Sequence, residues 1–175
     1  KKDLQFLIYP TDDDIIRVGL RGIFLSNYFY YDGEIHMNIA KDLYEWESAE
    51  QEFDRTFRKY SNLDDMHENG IHDYLKFIKL GYGRGTDHSN YEIRENRLNR
   101  DQGIEMVRRY DHVKPRDLKR WLKYVDMSEE EFDSIADKFR DQRVWKIKDN
   151  KWFKENLWGG ESSYGTVKGL PEWTK

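Results

Sequence analysis

What most constrains this chain is its shortage of aliphatic material. Leu, Ile, Val and Phe together make 40 of 175 residues, about 23%, just above the range typical of disordered sequences. A packed interior must therefore be built largely from rings. The sequence supplies 6 Trp, 12 Tyr and 9 Phe, and each ring can remove about 150–250 Å² from water. The length suits one domain or one compact piece of a larger protein, able to bury roughly 70% of its unfolded surface.

Charge excludes some functions. Thirty basic residues against 34 acidic ones leave a net charge of −4, which argues against a broad nucleic-acid footprint. With no cysteine there is no disulfide, thiolate zinc site, iron–sulfur cluster or cysteine nucleophile. No stretch of about 18 apolar residues predicts a membrane span, and the N-terminus lacks a signal-peptide core, so the cytoplasm is the expected compartment. The start, KKDLQFLIYP, has no initiator Met and runs straight into apolar residues, which points to a piece of a longer protein.

The pattern predicts a mainly helical fold with minor β: short N-terminal strand segments, a helical middle and a C-terminal hairpin. Leu4 to Tyr9 reads as a short strand ended by Pro10, and Gly22 to Tyr31 as a buried strand or strand-like connection. Thr11 to Asp14 can start a helix that Gly19 stops. Asp32 to Trp46 has helical spacing through Ile35, Ile39 and Leu43, and Ile71 to Leu80 through Ile71, Tyr74, Leu75 and Ile78, with Gly81 as its end. Residues 47–69 read as a lid or irregular loop. Further on, Thr86 can cap one helix and Asn99 with Gln102 forms a capping box for another. Pro115 suits the first turn of a third helix, and Ser128 with Glu131 opens a fourth. VWKIK, DN and KWFKE form a hairpin pattern. Residues 1–158 read as one domain and 159–175 as a flexible tail.

The densest set of chemically useful residues is GYGRGTDHSNYEIR, Gly81 to Arg94. Its glycines allow close backbone approach, and a helix opened by Thr86 would offer free amides to an anion. Arg84 can grip a phosphate or carboxylate, Asp87 and His88 offer a carboxylate and a group titrating near neutrality, and Arg94 lies seven residues beyond Asp87 on the same helix face. The bland alternative is a glycine cap between helices with Arg84 and Asp87 as a structural ion pair. His72 and Asp73 read as an exposed helix face. His36, His67 and His112 are isolated, without metal-ligand spacing, so no metal site is expected.

GIFLSNYFYYD at 22–32, GIHDYLKFIKLGYGRGTDHSNYEIR at 70–94 and RLNRDQGIEMVRRYD at 97–111, followed by the EEEF helix and VWK hairpin, form an ordered series over most of the chain. In this series the chain resembles the N-acetyl sugar amidotransferases of bacterial surface-polysaccharide and nonulosonic acid biosynthesis. Gly85 stands where that family is expected to carry alanine. The resemblance implies an ATP-pyrophosphatase of the PP-loop type that turns a sugar acetamido group into acetamidino. Its ammonia would come from a partner glutaminase through a cyclase-like subunit. The family's SGGxDS signature and paired cysteines are absent. GGESS at 159–163 lacks the strand before and helix after that such a loop needs. The chain thus resembles the C-terminal, substrate-side half and is expected not to hydrolyse ATP alone; ATP would be held mainly by the PP-loop half. By position, Arg84 and Arg94 would face a nucleotide-sugar or ATP diphosphate, Asp87 or His88 would move protons, and Asn27 and Asp32 would bond sugar hydroxyls.

Two other classes compete. Leu118 to Val125 and Ser128 to Phe139, tightly joined, resemble a helix-turn-helix, but the second helix is acidic where a DNA-reading helix is basic. A non-catalytic interaction or dimerisation module, with homo-oligomer formation, is the other reading.

Overall fold

The computed structural model describes residue 4, residues 7–61 and residues 69–174, with Asn69 described in its backbone only. The chain divides into two compact units, Lys1–Trp46 and Glu47–Lys175.

The first unit holds α1 (Asp12–Val18) and α2 (Gly33–Tyr44). Local signals set α1 at both ends: the Thr11 hydroxyl accepts from the Asp14 N–H, and Gly19, at φ 70°, closes it. Asp32 caps α2 through the Glu34 N–H. The two strands expected here do not form among the described residues. Leu25–Asn27 is a 3₁₀ turn, and Phe24, Tyr28, Phe29 and Tyr30 are exposed. A strand needs a paired neighbour for its N–H and C=O groups, and this unit presents none among its described residues.

The second unit contains α3 (Asn69–Leu80), α4 (Arg84–Arg94), α5 (Arg100–Tyr110), α6 (Leu118–Val125) and α7 (Glu129–Asp137). A three-stranded antiparallel sheet follows: β1 (Lys146–Lys148), β2 (Lys151–Glu155) and β3 (Glu161–Thr166), in that order. Asn99 and Gln102 form the expected reciprocal cap of α5. By contrast α6 begins three residues beyond Pro115. Asp149 and Asn150, both at positive φ, turn β1 into β2.

Rings make this unit's core as composition demands. Tyr74, Phe77 and Ile78 of α3 pack with Leu118 and Leu122 of α6, Phe132 of α7, and Trp145 and Trp152 at the sheet. Of residues 159–175, read above as a flexible tail, the described residues 159–174 are structured. β3 pairs with β2 from Glu155 opposite Glu161 to Lys151 opposite Thr166, Pro171 is fully buried, and the Trp173 indole donates to the Arg140 carbonyl at 3.0 Å. The facing glutamates are offset by Lys146, which reaches both. The lid expected over 47–69 lies partly outside the described residues; 47–61 is irregular, with Arg55 at φ 64°.

Candidate functional site

The GYGRG segment forms the corner between α3 and α4. Gly81, at φ 77°, ends α3 with its N–H on the Phe77 carbonyl at 2.7 Å. Gly83, not Thr86, is the N-cap of α4, and having no side chain it leaves the helix's first amides to another group.

That group is Asp111, directly after α5. Its buried carboxylate accepts from the Gly83 N–H at 2.8 Å, the Thr86 N–H at 3.1 Å and the Thr86 hydroxyl at 2.5 Å. Two of the amides expected to await an anion, those of Gly83 and Thr86, are therefore filled from within the protein. Asp111 is in turn fixed by Arg55, whose buried guanidinium donates to the main-chain carbonyls of Asp111 and Val113 and lies over the Tyr74 ring at 5.2 Å. Burial pushes Arg55 down to about 10, with Asp111 and Asp73 opposing the fall.

Arg84 turns toward α3. Its Nε and Nη2 straddle the carboxylate of Asp73, the latter at 3.3 Å from Oδ1. Asp73 is only 4% exposed, so the reading of an exposed His72–Asp73 face holds for His72 alone. The spacing at i and i+1 puts the two on different sides of α3. The ion pair between Arg84 and Asp87 does not form; Asp87 instead meets Lys76 at 2.5 Å.

His88 faces inward, its Nδ1 2.6 Å from the Thr56 hydroxyl and its ring edge-on to Phe57. Burial, then the Arg58 and Arg84 cations, push the imidazole down to about 3. It is therefore neutral at pH 7 and does not titrate near neutrality as the sequence suggested. It can give or take a hydrogen bond but is too weak a base to hold a proton there. Beside it, buried Glu92 takes both Arg58 and Arg97.

Asp87, Asn90 and Arg94 are exposed at i, i+3 and i+7, one face of α4. The second unit thus brings Arg84, Asp87, His88 and Arg94 onto one helix but turns them in different directions: Arg84 and His88 into the protein, Asp87 and Arg94 outward. Asn27, exposed in the 3₁₀ turn, and Asp32, engaged as the cap of α2, belong to the first unit. Sequence reasoning missed Asp111, Arg55, Thr56 and Glu92. Each has a partner 25 or more residues away, a distance over which no local spacing signals a bond.

A family model described as LPS biosynthesis protein WbpG-like, C-terminal domain, matches residues 30–157. No curated protein matches the chain at a significant level.

Proposed function

The chain belongs to the WbpG-like family of LPS biosynthesis proteins, whose C-terminal domain it carries, and on that premise we propose that it is the substrate-side part of an ATP-dependent amidotransferase. The reaction converts an acetamido group of a nucleotide sugar to acetamidino: the acetamido oxygen takes AMP from ATP with release of pyrophosphate, ammonia adds to the activated carbon, and AMP leaves with the oxygen. The family match is the observation that carries this reading. In it, the PP-loop half of the protein holds ATP, and a glutaminase with a cyclase-like subunit delivers the ammonia in the cytoplasm.

The geometry supports a division of labour on α4. Asp87, exposed and beside Lys76, is the carboxylate placed to take a proton as ammonia adds. His88 serves as a neutral hydrogen-bonding group. Arg94 is the outward cation for a diphosphate. Arg84, which neutralises Asp73, keeps the corner in shape and presents its remaining edge to an anion.

The test is isotopic, in the full-length protein with N-acetylated nucleotide sugars, ATP and ¹⁵N-ammonium. One ¹⁵N should replace the acetamido oxygen, and an ¹⁸O label placed in that acetamido group should be recovered in AMP. Turnover without ¹⁸O transfer to AMP removes the adenylation chemistry.

A second reading, an interaction module, is favoured by an apolar groove of about 310 Å³ between α3, α6 and α7, lined by Leu75, Trp121, Met127, Ile135 and Phe139. Light scattering on the isolated chain separates a monomer from a self-associating domain.

A further inference from the structure

A small hollow shares Gly81 and Asp111 with the glycine corner and is otherwise walled by Phe77, Val107, His112, Lys154, Trp158 and Tyr164. Lys154 leaves β2 and lays its stem against Gly81: a Cβ there would stand 3.2 Å from Lys154 Cδ. Its ammonium donates to the Glu155 carbonyl at 3.0 Å and to Asn156 Oδ1 at 3.2 Å, and sits 5.5 Å from the Tyr164 ring.

Lys76, Lys114, Lys146 and Lys148 each pair with a carboxylate. Lys154, although half-buried, pairs with none among the described residues. Burial lowers its pKa, and Asp111, the carboxylate whose field opposes this, is engaged in the cap of α4. A half-buried ammonium with neutral acceptors only, and a third N–H beyond those two bonds, is a site short of negative charge. The neighbouring side chains do not supply it. Arg108 lies over the Trp158 ring at 5.9 Å, and His112 meets Tyr164 edge-on at 6.0 Å. The hollow, at about 10 Å³, admits one oxygen atom rather than a whole ligand.

We propose that Lys154, assisted by Arg108 and His112, binds the terminal oxyanion, phosphate or carboxylate, of a ligand that approaches along the Trp158 indole. The inference rests on this geometry alone and holds whatever reaction α4 serves.

It is tested by titrating the chain with inorganic phosphate, pyrophosphate and acetate while following the Trp158 indole ¹H–¹⁵N resonance. A saturable shift is expected. Lys154→Met should weaken it at least about tenfold, and Arg108→Gln several-fold, with thermal melting of each variant recorded alongside. Preference for the phosphates identifies a phosphoryl ligand, and preference for acetate a carboxylate. Absence of a saturable shift with all three anions overturns the proposal, as does undiminished affinity in Lys154→Met. Should that variant not fold, undiminished affinity in Arg108→Gln, altered at an exposed position, decides against it equally.

Discussion

Asp111 holds Thr86 at two points, its carboxylate accepting both the main-chain N–H at 3.1 Å and the hydroxyl at 2.5 Å. Together with the Gly83 N–H, this ties the start of α4 to the end of α5. The position of every side chain on the first turn of α4 follows from that tie.

Asp111→Ala should lower stability by about 1–3 kcal/mol, because it strands three donors at once, the Gly83 N–H buried and the two of Thr86 half-buried. Asp111→Asn should cost less, since its amide oxygen can still accept one of them. Urea unfolding of both variants checks the order; equal stability of wild type and Asp111→Ala would remove the cap from the account.

Gly85→Ala is a sharper case, given that alanine is the residue expected there in the family. Alanine gains about 1 kcal/mol in helix propensity over glycine. Its Cβ, however, would stand 2.7 Å from Asp111 Oδ1 and 3.3 Å from Tyr110 Cβ. The carboxylate is committed to three hydrogen bonds and cannot move without losing them. We expect a net loss of about 1 kcal/mol in chemical denaturation. A stabilised Gly85→Ala would mean that α4 and α5 separate more easily than their contacts suggest.

Arg84→Ala leaves the Asp73 carboxylate buried with, among the described residues, His72 Nδ1 at 3.3 Å to meet it. The expected cost is about 2 kcal/mol, less than for a fully buried pair because Arg84 is partly exposed. In the full-length protein the same change should also raise the substrate KM. A stability loss with unchanged KM and kcat would confine Arg84 to a structural part.

Acid should weaken the second unit through His88. The folded imidazole is depressed to about 3 from an ordinary value near 6.5. The unfolded chain therefore binds the extra proton first as pH falls, and stability present above pH 6.5 is lost between about 6.5 and 3. Unfolding measured at pH 7, 5.5 and 4.5 should show this loss in the wild type, and a smaller one in His88→Gln. An imidazole that titrates near 6.5 by NMR would contradict its burial.

Asp87→Asn should leave the fold intact, since an exposed pair with Lys76 contributes less than about 1 kcal/mol. In the full-length protein it should lower kcat by at least about tenfold. An unchanged kcat in this variant assigns the proton transfer elsewhere.

Much of the helical frame was legible because its signals are short-range. Thr11 with Asp14, Asn99 with Gln102, and the Asp149–Asn150 turn all act within three residues. Gly22 to Tyr31 misled because an apolar run does not reveal whether a second strand exists to pair with it. β3 was hidden for the opposite reason: ESSYGT carries little strand propensity, and its place comes from hydrogen bonds to β2 and from Pro171 and Trp173 beyond it. At the candidate site, residue types and the helix were readable but their directions were not. Asp73 and His72 are adjacent in sequence, yet one is buried under Arg84 and the other exposed; only the packing of α3 against its neighbours decides which.

The closure of the C-terminal segment sets where this polypeptide can be cut. The family match ends at residue 157, yet β2 finds its outer neighbour at 161–166, and Trp152 lies 6.2 Å from the Trp173 ring. A recombinant boundary drawn at 157 would leave the middle strand with an unpaired rim and open the indole cluster to solvent, inviting self-association through that rim. Expression vectors for this region should therefore keep the reading frame through Trp173, and an affinity handle is better carried at the other end.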